Sequence, residues 1–329
     1  MVKLPFENVE REVVVKEKAE SSKEYGCKPE DRKVEDLIDH GIVVLNKLQG
    51  PTSHQVSDYV KKILHVNKAG HSGTLDPNVT GVLPIALSKV TRIVQVLLNA
   101  GKEYVCVMHL HGEVDEKKVR SEMEKFVGEI EQLPPIKSAV KRQLRKRNIY
   151  YLEVLEVDGK DVLFKMGCQA GTYVRKFCHD FGQKVGVGAH MQELVRTKAG
   201  PFNYEQMVSL HDLKDAYDEW QDGNEDWIRK CVLPFEVAVS HLGKVWVHDS
   251  AVDSLAHGAQ LSLPGVVQFE TKIKRGNIVA VMSLKGELVC IGKARMNTDD
   301  MKREEKGVCV GETKVFMARG VYPKWEKDL

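Results

Sequence analysis

Asp76 lies in the segment Gly70 to Gly81, GHSGTLDPNVTG, which carries too many glycines and a proline for regular structure. A carboxylate in such a loop can serve as a nucleophile or a general base, provided a cation holds it ionised and oriented. Two cations qualify by type: His71 in the same loop, and Arg175 at the end of Gly171-Thr172-Tyr173-Val174-Arg175. An arginine near the start of a helix opposes the helix dipole. Arg175 therefore has no local electrostatic reason for its place and invites an anionic partner. The plainer reading of Asp76-Pro77 is a turn whose carboxylate bonds backbone amides. Spacing alone leaves both open.

Other chemistries fail on spacing. A phosphate-cradling loop needs G-x-x-x-x-G-K-[ST], but Gly81 is followed by Val82 and Leu83. A nucleophile elbow needs G-x-S-x-G, and Thr74 stands where the second glycine belongs. His109 and His111 share one face of an expected strand and could pair on a metal. No nearby carboxylate or thiolate completes that set, and no H-E-x-x-H occurs. No metal and no cofactor is expected. The cysteines at 27, 106, 168, 178, 231, 290 and 309 are odd in number, widely spaced and free of any C-x-x-C pair. That pattern is neither a disulfide framework nor a zinc knuckle, and it reads as a reducing, intracellular protein. No apolar run of about 18 residues offers a membrane span, and Met1 to Lys23 has no apolar core of a secretory signal.

The elements that must position these residues are visible as periodicities. Gly41 to Asn46 is a short buried-strand candidate. Ser53 reads as the N-cap of a helix in which Val56, Tyr59, Val60, Ile63 and Leu64 recur at helical spacing. Val82 to Leu87 is a buried stretch, while Lys102 to Leu110 and Val162 to Cys168 alternate as strands. Val174, Phe177, Phe181 and Val185 fit one face of a helix. After Leu233-Pro234 the texture changes. Lys244 to Val247, Val266 to Phe269, Ile278 to Ser283, Leu288 to Ile291 and Thr313 to Met317 are β-prone runs between turn residues, with Gly286 in a hairpin turn. They predict a small all-β barrel of about 80 residues. Met1 to Asp31 reads as an arm, and the 329 residues suggest about two domains, divided near His241 to Lys244.

With 42% hydrophobic residues the chain has a core and is not disordered. Lys+Arg 49 against Asp+Glu 47 leaves a net charge of +2, which at first argues against a polyanion partner. The sum hides a segregation. Between Gln132 and Leu152 the charged residues are Lys137, Lys141, Arg142, Arg145, Lys146 and Arg147. Conversely, Glu205, Asp212, Asp215, Asp218, Glu219, Asp222, Glu225 and Asp226 share a stretch with Lys214 alone. The basic run is either a solvated face or an RNA-backbone contact. Six cations without one acid repel each other unless something neutralises them, which favours RNA. The acidic stretch suits solvent or a protein.

Five motifs, in order and spacing, resemble the TruB family of pseudouridine synthases. They are Gly50-Pro51-Thr52-Ser53-His54, GHSGTLDPNVTGVLPIAL from Gly70, Lys102-Glu103-Tyr104, GTYVR from Gly171 and GVGAHMQELVRTKAG from Gly186. Pro134 to Val162 is similar to the archaeal and eukaryotic dyskerin branch, and Lys244 to Val321 resembles a PUA domain, a small RNA-binding barrel. The resemblance covers nearly everything from residue 35 onward.

It implies an α/β (α+β) catalytic domain at 35–240 with a mixed, largely antiparallel sheet. It further implies an all-β PUA barrel at 244–323 and an N-terminal arm, 1–34, packed on that barrel. It implies isomerisation of uridine to pseudouridine in structured RNA, with Asp76 as the essential aspartate in glycosidic cleavage and reattachment through carbon 5. By the same resemblance Tyr104 stacks on the uracil and assists proton removal at carbon 5, and Arg175 pairs with the carboxylate. Tyr173 and Leu194 line the uridine pocket, although from the residues alone both fit plain core. His71 attends the flipped base, and Lys47 is the lysine of the first motif, with Leu48 where the family usually has proline. Extruding a base costs a few kcal/mol, and stacking on an aromatic face returns about 1–3 kcal/mol.

The partners implied are tRNA, modified directly at its T-arm uridine, or a guide RNA with an rRNA or tRNA target in a box H/ACA particle with small protein subunits. A cytoplasmic location follows for an archaeal protein and a nucleolar one only for a eukaryotic protein; monomer is the default state. The alternative is a noncatalytic RNA-binding scaffold, against which the trio Asp76, Tyr104 and Arg175 stands.

Overall fold

Short β-branched runs broken by glycine and proline pair into two curled sheets in the computed structural model, which describes residues 2–134 and 141–324. The sheets belong to separate units, one of Met1–Asn8 and Ile38–Leu233, the other of Val9–Leu37 and Pro234–Leu329.

In the second unit, strand β1 (Val13–Val15) pairs antiparallel with Val266–Glu270 at one edge of a seven-stranded sheet. Gly243–Val247, Ile278–Ser283, Leu288–Ala294 and Val308–Val315 continue that sheet. Alternate residues, among them Val245, Phe269, Val281 and Val289, close a dry core. Residues 25–32 are tied to this unit by polar contacts. Glu287, almost fully buried, accepts from the Cys27 amide at 3.3 Å, and Arg32 grips Glu236 with two nitrogens at 2.6 and 2.9 Å. The last strand runs Val308–Val315 rather than Thr313 to Met317. Glu312 sits in the left-handed region at φ 51°, so the chain bulges and the alternation breaks where the sequence reading looked for it. Two short helices, Asp249–Ala256 and Thr298–Arg303, also escaped that reading.

The first unit begins its sheet with β2 (Gly41–Lys47), β3 (Ala69–His71), β4 (Thr80–Leu87) and β5 (Lys102–Leu110). It continues with β6 (Gly128–Gln132), β7 (Arg145–Asp158), β8 (Asp161–Cys168) and β9 (Ala189–Ala199). The order along the main path is β2-β4-β9-β5-β8-β7-β6, with β3 beside β4. Every pairing on this path is antiparallel except β4 with β9, so the mixed, largely antiparallel sheet is as expected. β2 and β4 are apolar almost throughout because both of their faces are covered.

Helices α1 (Val34–Asp39), α2 (Ser53–Ile63), α3 (Val94–Leu98), α4 (Glu116–Glu124), α5 (Val174–Val185) and α6 (Leu210–Gln221) complete the elements used below. In α5 the expected face of Val174, Phe177, Phe181 and Val185 is buried, and Phe126 meets Phe177 edge-on at 5.3 Å between centroids. The cap of α2 is Thr52, not Ser53. Thr52 exchanges a capping box with Gln55, which frees the Ser53 hydroxyl for another task. No helix among the described residues is long and apolar enough to cross a membrane.

The parallel contact of β4 with β9 is short, Thr80 to Val195 and Gly81 to Arg196. Gly81 has φ +103°, and a Cβ there would stand 2.2 Å from the Arg196 carbonyl oxygen. Gly81→Ala should therefore lower folding stability by about 2–4 kcal/mol, read from chemical denaturation, because strain and overlap add.

Candidate active site

The loop between β3 and β4 has no strand neighbours for its carbonyls, so side chains satisfy them. Lys47 is fully buried, and its ammonium donates to the carbonyls of Leu48, Asp76, Pro77 and Val79 at 2.9 to 3.2 Å. Burial pushes its pKa down, while the nearby Asp76 charge pulls the other way. The Ser53 hydroxyl donates to the Leu75 carbonyl at 3.1 Å and accepts from the Leu75 amide at 2.9 Å. Arg196, 1% exposed, donates from Nε to the Val82 carbonyl and from a terminal nitrogen to the Gly73 carbonyl, at 2.8 and 3.3 Å. The Asp76 carbonyl accepts from the Val79 amide at 2.9 Å, so the turn reading of Asp76-Pro77 holds for the backbone. The carboxylate is left for another partner.

That partner is Arg175, whose guanidinium lies 3.2 Å from Asp76 Oδ2. Both side chains are about half exposed, so the pair adds only about 0–1 kcal/mol to stability, and what it fixes is orientation. The pair sits at a cavity of about 610 Å³ lined also by Tyr104, Tyr173, Leu194, Arg147, Lys102 and Arg196. Five elements bring these side chains: the β3–β4 loop brings Asp76, β5 brings Lys102 and Tyr104, β7 brings Arg147, α5 brings Arg175, and β9 brings Leu194 and Arg196. Tyr104 and Arg196 are cross-strand partners in the β5–β9 ladder. Burial pushes the Tyr104 phenol up, and the hydrogen-bonded Arg196 guanidinium partly opposes that shift.

Asp76, Tyr104, Arg175, Tyr173 and Leu194 are thus brought together, and Arg147 joins them over Gly171, whose Cβ position is 3.1 Å from Arg147 Nε. Lys47 and His71 do not line the cavity. Lys47 lies beneath the loop. His71 is half-buried on β3 with Nδ1 unpartnered, and burial, then Arg196 and His54, pushes its pKa down and leaves a neutral imidazole. Lys137 lies outside the described residues. Lys141 and Arg142 are exposed, and Arg145 and Lys146 start β7. The run is less lonely than its sequence: strand pairing sets Glu129 of β6 2.7 Å from the Lys146 ammonium.

Sequence reasoning passed over Ser53 as an anchor, Lys102 and Arg196. The last two lie inside quoted motifs, and an uncompensated cation in an apolar strand was the available signal. It also missed Asp161, which bonds His109 at 2.6 Å, while His111 meets His190 at 2.9 Å.

A family profile described as TruB family pseudouridylate synthase (N terminal domain) matches residues 61–174. The tRNA pseudouridylate synthase B C-terminal domain matches 175–240, a PUA domain 243–315 and a DKCLD (NUC011) domain 2–57. The probable tRNA pseudouridine synthase B of Pyrococcus abyssi is 54% identical over 320 residues, 96% of each chain. A crystal structure of a Cbf5-Nop10-Gar1 complex contains a chain 53% identical, covered over 98% of both, with a TM-score of 0.93. An H/ACA RNP bound to a substrate RNA containing 2'-deoxyuridine contains another, 50% identical, with a TM-score of 0.92 over 98% of this chain and 100% of that one.

Lys102 gives this site a pH signature. Its ammonium donates to the carbonyls of Leu97, Leu98 and Ala100 at 2.8 to 3.0 Å, yet burial, helped by Arg196, brings its pKa from 10.5 down to about 7. Between those values the folded chain binds fewer protons than the unfolded one, so folding stability should rise with pH. Denaturation at about pH 7 and about pH 9 checks this against Lys102→Met, which should lose the slope. An equal slope in both proteins would mean that the carbonyls keep Lys102 charged.

Proposed function

Because the chain belongs to the TruB family of RNA pseudouridine synthases, we propose that Asp76, Tyr104 and Arg175 carry the isomerisation of a uridine drawn out of structured RNA. The chain is a pseudouridine synthase. The observation that carries the residue assignment is the Asp76–Arg175 pair, 3.2 Å apart, at the cavity into which Tyr104 faces.

The reaction detaches uracil from the ribose at its nitrogen and reattaches it through carbon 5. It needs neither a redox carrier nor an external nucleophile. Asp76 is the carboxylate that engages the uridine, and Arg175 limits its rotamers. Tyr104 offers a flat face for the extruded base, and its phenol, pushed up by burial, is neutral at neutral pH. Tyr173 and Leu194 shape the pocket wall. Lys47 acts beneath the loop, and His71 stands beside it on β3. Arg147 at the cavity, with Lys137, Lys141, Arg142, Arg145 and Lys146, contacts the RNA backbone.

We assign residues 35–240 to catalysis, 244–323 to a PUA RNA-binding domain and 1–34 to an arm of that domain. The PUA match, which begins at residue 243, supports the second boundary, and Val9–Leu37 falls in the unit that holds the barrel, whereas Met1–Asn8 falls in the first unit. The likeness to chains in a Cbf5-Nop10-Gar1 complex and in an H/ACA RNP supports a catalytic subunit that takes guide RNA and small protein partners. The relatives' name, tRNA pseudouridine synthase B, supports a second reading, direct action on tRNA. A cytoplasmic location goes with either. A noncatalytic scaffold has no use for the intact trio.

Purified protein incubated with tRNA transcript, with and without guide RNA and partners, followed by pseudouridine mapping, separates the modes. Asp76→Asn should lower the rate by about 10²–10⁴-fold or more, and undiminished product would sink the assignment. Replacing Arg142, Arg145 and Lys146 by Ala should weaken RNA binding and reduce its salt slope by up to about three. An unchanged slope would mean that they only face solvent.

A further inference from the structure

Helix α5 starts without a side-chain cap: its N-cap residue, Tyr173, is extended at φ −100° and bonds no backbone amide through its own side chain. Helix starts leave amide groups without partners, and something must meet them. Here the neighbour is Gln132, 3% exposed and the last residue of β6. Its Nε2 donates to the Tyr173 carbonyl at 3.1 Å, and its Oε1 accepts from the Tyr173 amide at 2.9 Å. The side-chain amide thus imitates one residue of a neighbouring strand. The same carbonyl also accepts from the Phe177 amide at 3.0 Å, so the first turn of α5 hangs from this contact.

We propose that Gln132 is a positioning residue that couples the β6–β7 hairpin to the Asp76–Arg175 pair. Gln132 pairs in register with Arg145 across that hairpin, whose connection holds Lys141 and Arg142. Arg175 lies two residues beyond Tyr173, in the first turn of α5. RNA seated on the hairpin therefore has a direct covalent and hydrogen-bonded route to the backbone that aims Arg175 at Asp76. The residue type fits the task. Glutamate would keep the acceptor but set its second carboxylate oxygen against the Tyr173 carbonyl, and asparagine is one methylene too short to reach both groups. Leucine fills similar space and makes neither bond.

The inference rests on the catalytic reading given above, and the experiment keeps the two apart. Single-turnover rate constants, reaction amplitudes and RNA dissociation constants are measured for the full chain, with whatever RNA and partners sustain wild-type turnover. Gln132→Leu should slow the rate constant ~10-fold or more, as small misplacements of catalytic groups do. RNA affinity and amplitude should stay within about twofold. Gln132→Glu should be slow as well, which separates hydrogen bonding from volume. In an Arg175→Lys background, where the aim is already lost, Gln132→Leu should add little further loss. An unchanged rate constant overturns the proposal. So does a loss confined to amplitude or affinity, and so do losses that simply multiply in the double variant. Wild-type turnover that survives Asp76→Asn would instead overturn the catalytic reading.

Discussion

An irregular loop packed inside a protein must find donors for its carbonyl oxygens, and the Asp76 loop finds them in buried cations. Lys47 meets the carbonyls of Asp76, Pro77 and Val79, Arg196 meets those of Gly73 and Val82, and Lys102 does the same for the turn after α3. An isolated charge at such depth would cost far more than a domain can spare. Rings of carbonyl dipoles offset that cost, and the loop in turn gains a fixed backbone. Asp76 can then be half exposed to substrate and still hold its place.

The rest of the first unit serves this arrangement. β9 sits between β4 and β5, so a single strand carries Arg196 under the loop, against Tyr104 and beside Leu194. α5 packs its apolar face on the sheet and leaves Arg175 at its first turn, toward the cavity. The site residues come from five elements, and Arg196, itself at the cavity, also ties the Asp76 loop to β9.

What was legible in the sequence followed from repetition. The buried face of α5 and the alternation of β5 are periodic, so their burial could be read directly. The resemblance supplied the assembly of Asp76, Tyr104 and Arg175, which periodicity alone could not. Features that depend on two distant segments stayed hidden. Ser53 looked like a cap because it precedes a helix, but Thr52 takes that role and Ser53 turns to Leu75. Lys47 looked like a substrate contact, and three of its four carbonyl partners come from a loop about thirty residues on. Glu129 relieves Lys146 only once β6 and β7 are paired. Cys106 and Cys178, far apart in the chain, lie 3.8 Å apart in the core.

The short parallel pairing of β4 with β9 also bears on when the site exists at all. Arg196 and the Val82 carbonyl it holds are separated by 114 residues of chain. Such non-local closures are the slow part of folding, since loop entropy is lost before any contact is gained. β2, β3 and β4 can form their hairpin-like sheet early, yet the Asp76 loop lacks its second anchor until β9 has been synthesised and docked. A nascent or partly unfolded chain therefore carries the aspartate without the geometry, and competence to modify RNA arrives only with the nearly complete first unit.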